Sequence, residues 1–308
     1  MKKRNYLDFT PSKTVPYMRD TFIDEVYYAA KKNRNIFFTT PDMGAPSLDK
    51  FRKEIPKQFI HSGICEQHMV AMAAGLTLMK KDVFCYAMAP FITSRCYEQI
   101  KCSVAAMDRP VCLVGIGVGL GYADAGPTHY TTEDIATMRV FPNIEILTPS
   151  DVPSMTAIIK DILKKPRFIF LRLDRDVMPN IYVEKNKFNL KDGFSKLIQG
   201  KKKCIISSGF LLNKIYEKLN IKNIKNIGLI DLYKIKPLNK KFLKEVMKYD
   251  EIITLEEQWI EGGFGSAILE FLSKNGINMK VTRHGLKEKY YFEQSLIKII
   301  CFSFLTFH

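Results

Sequence analysis

The sequence lacks the features of a membrane protein or of a secreted, disulfide-bonded protein. None of its apolar runs reaches the roughly 18 residues that a membrane helix needs. The basic N-terminus MKKRNYLDFTPSKTVPYMRD is not followed by an apolar segment, so it does not have the pattern of a signal peptide. The seven cysteines are scattered, without CxxC or Cys/His metal-binding spacing. We therefore expect reduced thiols in a cytoplasmic protein with no membrane partner.

Acidic residues are scarce relative to basic ones, which raises the question of a nucleic-acid partner. Lys and Arg number 47 against 32 Asp and Glu, so the net charge is +15 at pH 7. The lysines are spread along the chain, apart from a short GKKK cluster at 200–203, and there is no zinc finger, RNA-recognition motif or Arg-rich arm. We expect no nucleic-acid partner, and an anionic metabolite such as a sugar phosphate matches the charge as well.

The order of the apolar segments predicts an α/β protein. The chain has 308 residues, of which 46% are hydrophobic and 26% charged, enough for two globular domains. Short β-branched runs alternate with segments of helical period; the runs include NIFFTT, DVFCYAM, PVCLVGIGVG and RFIFLRL, and the helical segments RDTFIDEVYYAAKK and EQHMVAMAAGLTLMKK. This alternation predicts a parallel sheet covered by helices on both faces.

A second α/β unit follows a polar segment without periodicity. We assign residues 1–178 to a first domain, 179–194 to a linker and 195–308 to a second domain. The second unit contains the predicted strands KKCIISSG, NIGLIDL, DEIITLEE and NMKVTRHG, and the predicted helices LLNKIYEKL, LNKKFLKEVMK and GGFGSAILEFLSKNG. The apolar tail SLIKIICFSFLTFH fits a strand or helix docked on a neighbour, or an altered reading-frame end. The predicted fold is therefore two consecutive parallel, or mostly parallel, sheets.

Several polar or aromatic residues follow predicted strands directly. Glu66 begins an apolar helix after KQFIHSG, and Phe91 and Arg95 follow DVFCYAM. The Gly-rich loop GLGYADAGPTHYTTED contains His129, and Arg175 closes FLRLDRD. The carboxyl edge of an open α/β sheet is where ligands bind, so we expect these residues to form one site.

Four stretches of the first domain carry a family resemblance, in the order GICEQHMVAMAAGL, PFITSRCYEQI, AGPTHYTTEDIATMRVFPNIEILTPSD and FLRLDRD. They resemble the pyrimidine-binding domain of transketolase-like thiamine diphosphate enzymes. IDLYKIKPLN and LEEQWIEGGFGSAI resemble the C-terminal domain of the same family. The resemblance runs from about Met18 to about Gly285 and covers only the C-terminal half of a full-length transketolase or 1-deoxyxylulose-5-phosphate synthase.

The part of the family pattern that holds the cofactor's diphosphate is missing. Relatives bind the diphosphate and Mg²⁺ through a GDG motif followed by Asn, and this chain has neither GDG nor a Walker-type phosphate loop. The resemblance therefore implies the C-terminal subunit of a split transketolase, active only with an N-terminal-type subunit that carries the GDG…Asn motif. It further implies thiamine diphosphate and Mg²⁺ as cofactors, no metal ligand from this chain, and an α2β2 heterotetramer.

The resemblance assigns four residues to the cofactor. Glu66 matches the catalytic carboxylate that hydrogen-bonds to N1′ of the aminopyrimidine, a bond that matters most where water is excluded. Phe91 matches the aromatic residue that stacks on that ring, with an ordinary core Phe as the alternative. Met88 stands where relatives often carry a second aromatic, and a thioether can pack against a ring. Asp42 lies near an acidic or polar cofactor residue of relatives, with a turn residue as an equal alternative.

The resemblance assigns three residues to the substrate. Arg95 matches an arginine that faces the substrate channel, with a solvated helix-start Arg as the alternative. His129, in GPTH, matches the catalytic histidine that contacts substrate oxygens and can move protons to and from them. Arg175 matches the phosphate-binding arginine, because a guanidinium binds phosphate through two donors.

Three further features are predicted to be structural. Arg172 is expected to form an ion pair, and Thr131 with Asp134 has the spacing of a helix capping box. EGGFGS lacks a full GxGxxG pattern, so we interpret it as a turn between a strand and a helix, with a place at a subunit interface as an option.

The substrate-facing loop departs from housekeeping transketolases, which have Asp directly before GPTH. Here Ala125 takes that place and Asp124 is displaced by one residue, while Gln258 stands where many relatives have His. We therefore expect transfer of a two-carbon ketol unit between sugar phosphates or nucleotide sugars other than the housekeeping pentose phosphates. Three alternatives stay open: an acyloin-forming synthase similar to 1-deoxyxylulose-5-phosphate synthase, the β subunit of a 2-oxo acid dehydrogenase, and a non-catalytic regulatory subunit.

Overall fold

A computed structural model describes residues 17–41, 44–183, 188–221 and 226–292 of the chain. Asp42 and the apolar tail therefore lie outside the described residues. Within those ranges, twelve strands and ten α-helices form two α/β sheets, one of seven strands and one of five. The predicted fold class is confirmed.

The first sheet is parallel except at one edge. Its strands are β1 (Ile36–Thr40), β2 (Phe59–His61), β3 (Asp82–Met88), β4 (Val111–Ile116), β5 (Glu145–Leu147), β6 (Ile169–Leu173) and β10 (Lys234–Lys236). Their spatial order is β10-β5-β6-β4-β3-β1-β2, and only β10 runs antiparallel to its neighbour. The carboxyl ends of the other six strands therefore meet at one edge of the sheet.

Helices cover both faces of the first sheet. They are α1 (Met18–Lys32), α2 (Asp49–Glu54), α3 (Glu66–Leu78), α4 (Ala89–Ile92), α5 (Tyr97–Gln99), which continues into a π-helical segment (Ile100–Ala105), α6 (Asp134–Met138) and α7 (Val152–Lys164). On one face, Phe22 of α1 and Ile158 of α7 pack in a core with Phe38 and Tyr86 of the sheet. On the other face, α3 contributes Met69 and Val70 to a second core.

The second sheet has strands β7 (Ser195–Ile198), β8 (Lys203–Ser207), β9 (Ile227–Asp231), β11 (Glu251–Trp259) and β12 (Lys280–Leu286), in the order β12-β11-β8-β9-β7. It is parallel except for β7, which pairs antiparallel with β9. Its helices are α8 (Gly209–Ile221), α9 (Lys240–Val246) and α10 (Phe264–Lys274).

Strand β10 joins the two halves of the chain, which the periodicity does not predict. It comes after β9 of the second sheet yet pairs with β5 of the first. Ile235 of β10 packs in the same core as Ile146 of β5 and Phe242 of α9. Lys236 donates to the backbone carbonyls of Arg139 and Phe141, at 2.7 and 2.5 Å. The two sheets therefore share one continuous core on this face.

Candidate active site at the carboxyl edge of the first sheet

Glu66 is a buried carboxylate at the start of an apolar helix. The chain leaves β2, turns through Gly63 at a φ of +68°, and enters α3 at Glu66. The next turns of α3 bury Met69, Val70 and Ala73, which fixes the helix against the sheet and keeps Glu66 at its edge. Only 2% of Glu66 is exposed. A charge that is buried to this extent needs a partner.

That partner is Arg95. Its Nη1 donates to Glu66 Oε2 at 2.8 Å, and its guanidinium carbon lies 4.2 Å from the centre of the Phe91 ring. Phe91 belongs to α4, which follows β3 directly, so the end of β3 positions the ring beside the helix that carries Glu66. The exposed fraction of the Arg95 side chain is 38% against 3% for that of Glu66, so the pair reaches from solvent into the core.

His129 completes this group from the long loop after β4. Its ring lies 5.3 Å from that of Phe91, edge to face at 71°, and its Nδ1 lies 2.8 Å from Thr128 Oγ1. The loop turns sharply at Gly117, whose φ is +75° and whose missing Cβ would lie 2.1 Å from the Tyr122 ring. The structure therefore brings together Glu66, Arg95, Phe91 and His129, four of the residues that the sequence selects.

Arg175 belongs to a second group on the same loop. Its Nη1 donates to Asp124 Oδ1 at 2.8 Å and to the Gly121 carbonyl at 3.2 Å, and its guanidinium carbon lies 4.5 Å from the centre of the Tyr122 ring. The Asp124 pair is not predicted from the sequence. It consumes one nitrogen of the guanidinium that the resemblance assigns to phosphate.

Met88 and Asp42 are not part of either group. Met88 ends β3 half-buried, and it packs against the core on the α1 side of the sheet. The structure gives no contact for Asp42 because that residue lies outside the described ranges.

Arg172 forms the structural ion pair that the sequence predicts. Its Nε donates to Asp134 Oδ2 at 2.7 Å and its Nη2 to Oδ1 at 3.3 Å, with both residues buried. The expected capping box of Thr131 and Asp134 is wrong. Helix α6 begins after Glu133, without a side-chain cap, because the carboxylate of Asp134 is committed to Arg172.

A cleft between the two sheets holds carboxyl groups that sequence reasoning missed. Asp174 follows β6, and Glu256 and Glu257 lie near the end of β11, where LEEQ already showed two adjacent acids. Burial raises the pKa of Asp174 to about 7 and that of Glu256 to about 7. Burial, reinforced by the Asp174 carboxyl, raises the pKa of Glu257 to about 8.

The EGGFGS turn has the structural role that was predicted. Glu256 accepts hydrogen bonds from the backbone amides of Phe264 and Gly265, at 2.5 and 2.8 Å, and so holds the start of α10. A Cβ on Gly263 or Gly265 would lie 2.2 or 2.5 Å from a side-chain oxygen, so both positions need glycine.

The described part of the chain has neither clustered metal ligands nor a helix suited to a membrane. No group of three His, Cys, Asp or Glu side chains among those residues is placed to hold a metal ion. Nor does any helix there have the length and apolar character needed to cross a membrane.

Comparisons with known proteins match both halves of the chain. Residues 16–180 match the family model "Transketolase, pyrimidine binding domain", and residues 195–296 match "Transketolase, C-terminal domain". One of the two subunits of the apulose-4-phosphate transketolase of Phocaeicola vulgatus is 31% identical over 268 residues, which cover 85% of this chain and 86% of the relative. The 1-deoxy-D-xylulose-5-phosphate synthase of Aquifex aeolicus is 29% identical over 85% of this chain, but only 42% of that longer protein is covered.

Among solved structures, a split-gene transketolase described as an inactive β4 tetramer superposes with a TM-score of 0.79 at 26% identity, covering 92% of this chain and 91% of the other. The match extends over both sheets and over nearly the full length of a separate transketolase subunit. The chain belongs to the transketolase family and corresponds to the separate C-terminal subunit of its split members.

Proposed function

We propose that this chain binds the aminopyrimidine part of thiamine diphosphate and, with a partner subunit, transfers a two-carbon ketol unit between sugar substrates. One observation carries the proposal: a buried carboxylate, Glu66, lies beside the exposed face of an aromatic ring, Phe91, at the ligand-binding edge of the sheet. A planar cation, the Arg95 guanidinium, already makes both contacts. The same pair of groups suits an aminopyrimidine.

Bound thiamine diphosphate supplies the electron sink that cleavage of a bond next to a carbonyl requires. In this site, Glu66 would hold a proton at N1′ of the aminopyrimidine, and Phe91 would stack on its ring. The apolar wall of α3 would keep water from the carboxylate, which strengthens that hydrogen bond. Met88 and Asp42 keep their predicted places near the cofactor as part of this proposal.

His129 is proposed to exchange protons with substrate oxygens, because its ring contacts Phe91 and its Nε2 is not the nitrogen next to Thr128. Arg95 and Arg175 would bind the substrate. The relative named for apulose-4-phosphate supports a sugar phosphate as the substrate class. Asp124 and Ala125 in the loop make a substrate different from the housekeeping pentose phosphates our first choice, with nucleotide sugars as a further class.

We further propose an N-terminal-type partner that holds the diphosphate and Mg²⁺, in an α2β2 heterotetramer. One relative is named as a single subunit of its transketolase, and another is described as an inactive β4 tetramer. Both descriptions support a subunit that works only with its partner. All six cysteines of the described residues are free thiols, which supports a place in the cytoplasm.

The test is Glu66→Gln in the complex reconstituted with the neighbouring GDG-containing subunit. The amide keeps the shape of the side chain but cannot hold the proton, so we expect kcat to fall by about 10²-fold or more. Glu98→Gln, an exposed change on the segment after Arg95, is the matched control. Unchanged turnover in Glu66→Gln would favour the regulatory subunit, and pyruvate consumption with release of carbon dioxide would favour the synthase or dehydrogenase alternatives.

A further inference from the structure

In the chain without cofactor, one side chain engages both groups that the proposed function assigns to the aminopyrimidine. The Arg95 guanidinium donates to Glu66 at 2.8 Å and lies over Phe91 at 4.2 Å. These are contact distances for a charged hydrogen bond and for a cation over an aromatic face. No second planar group fits between the guanidinium and the ring at that separation.

The guanidinium and an aminopyrimidine offer the same chemistry to this site. Each is planar, each stacks on an aromatic ring, and each can present an N–H group to a carboxylate. Glu66 and Phe91 therefore cannot serve both in the same positions. The exposed fraction of the Arg95 side chain, 38%, shows that its head can leave towards solvent without unpacking the core.

We propose that Arg95 is a positioning residue that occupies the aminopyrimidine place in the cofactor-free chain and moves away when the cofactor binds. This inference rests on the proposed function of Glu66 and Phe91. In the free subunit the guanidinium compensates a carboxylate whose side chain is only 3% exposed, and so keeps it charged and in place. When it is displaced, its positive charge becomes available to an anionic substrate. Binding is thereby ordered, with the cofactor before the substrate.

The first experiment needs neither cofactor nor partner. Urea-unfolding midpoints of the full chain are measured for wild type, Arg95→Ala, Glu66→Gln and the double variant. We expect Arg95→Ala to lower the midpoint in the wild-type background and to have a much smaller effect in the Glu66→Gln background. Arg34→Ala, which removes an exposed arginine, should act equally in both backgrounds. Equal effects of Arg95→Ala in the two backgrounds would overturn the proposed contact.

The second experiment measures binding of thiamine diphosphate with Mg²⁺ to the reconstituted complex by calorimetry. Displacing the guanidinium costs an ion pair and a cation–π contact, so Arg95→Ala should bind the cofactor tighter, on the order of tenfold. The KM of the sugar substrate should rise in the same variant, because the released guanidinium is missing. A structural role alone would not move these two constants in opposite directions.

The outcomes separate the two proposals. If Arg95→Ala leaves the cofactor Kd unchanged or weakens it while Glu66→Gln weakens binding, the role of Arg95 is refuted and the proposed function stands. If neither variant changes the Kd, the cofactor site itself is misplaced. Arg95→Lys keeps the charge without the planar head, and an intermediate Kd is expected.

Discussion

Replacing Asp231 by Asn tests whether burial controls a proton at the junction of the two sheets. Asp231 ends β9 and is fully buried. Ser150 donates to its Oδ1 at 3.0 Å and Tyr182 to its Oδ2 at 2.7 Å. Burial nevertheless dominates over these two hydrogen bonds and raises the pKa of Asp231 to about 8, from an ordinary value of 3.8.

The sign of the effect on stability follows from the proton count. Between the unfolded and the folded pKa, the folded chain keeps a proton on Asp231 that the unfolded chain has released. The free energy of unfolding therefore falls as the pH rises through this window. Each pKa unit corresponds to about 1.4 kcal/mol, so the three units from pH 5 to pH 8 give a loss on the order of 4 kcal/mol.

Urea-unfolding curves of wild type and Asp231→Asn at pH 5, 6, 7 and 8 measure this loss. Asparagine has the same shape and no titrating group, so the difference between the two chains should shift by that amount towards the variant as the pH rises. Other buried carboxyls, such as Asp174 and Glu257, titrate in both chains and cancel in the comparison. Asp250→Asn, at an exposed site, should leave the profile of wild type unchanged. Parallel profiles of wild type and Asp231→Asn would refute the reasoning.

Three further predictions concern stability and the active-site loop. Asp134→Ala leaves Arg172 buried without its partner and should cost about 3–5 kcal/mol in urea unfolding, while Asp134→Leu with Arg172→Met should recover most of that loss; a small effect of the single change would contradict the buried pair. Asp151→Ala removes the acceptor for the amides of Ser154, Ile181 and Tyr182 and should cost about 2 kcal/mol or more, with Asp151→Asn intermediate; the thermal midpoint reports it, and equal midpoints for the two variants would argue against the charge. Gly117→Ala should increase hydrogen exchange of the loop up to His129 because the new Cβ meets the Tyr122 ring, whereas Gly126→Ala, at a similar φ with open space around it, should do so much less; similar exchange in both would show that backbone strain alone matters.

Short-range patterns carried the prediction of the fold and of most candidate residues. The alternation of β-branched runs and helical periods predicted the elements of both sheets except β7 and β10. Those two exceptions have a physical reason. β10 is the segment Lys234–Lys236, too short and too charged to show a period of two, and it becomes a strand because β5 offers a free edge.

The order of Glu66, Phe91 and His129 along the chain was likewise enough to expect a common site, because parallel strands bring their carboxyl ends to one edge. The pairings inside that site were not predictable. Glu66 lies 29 positions from Arg95 and Asp124 lies 51 from Arg175, and only the packing of different elements decides which cation meets which carboxylate.

The sequence by itself thus determined which elements form and which residues are brought to the ligand-binding edge, since both depend on neighbours a few positions away. The tertiary structure alone decided that β10 completes the first sheet, that Arg95 covers Glu66 and Phe91, and that Asp231 holds its proton near neutral pH. Each of these depends on burial and on contacts between distant segments, and the charge of a buried group is set by the groups packed around it.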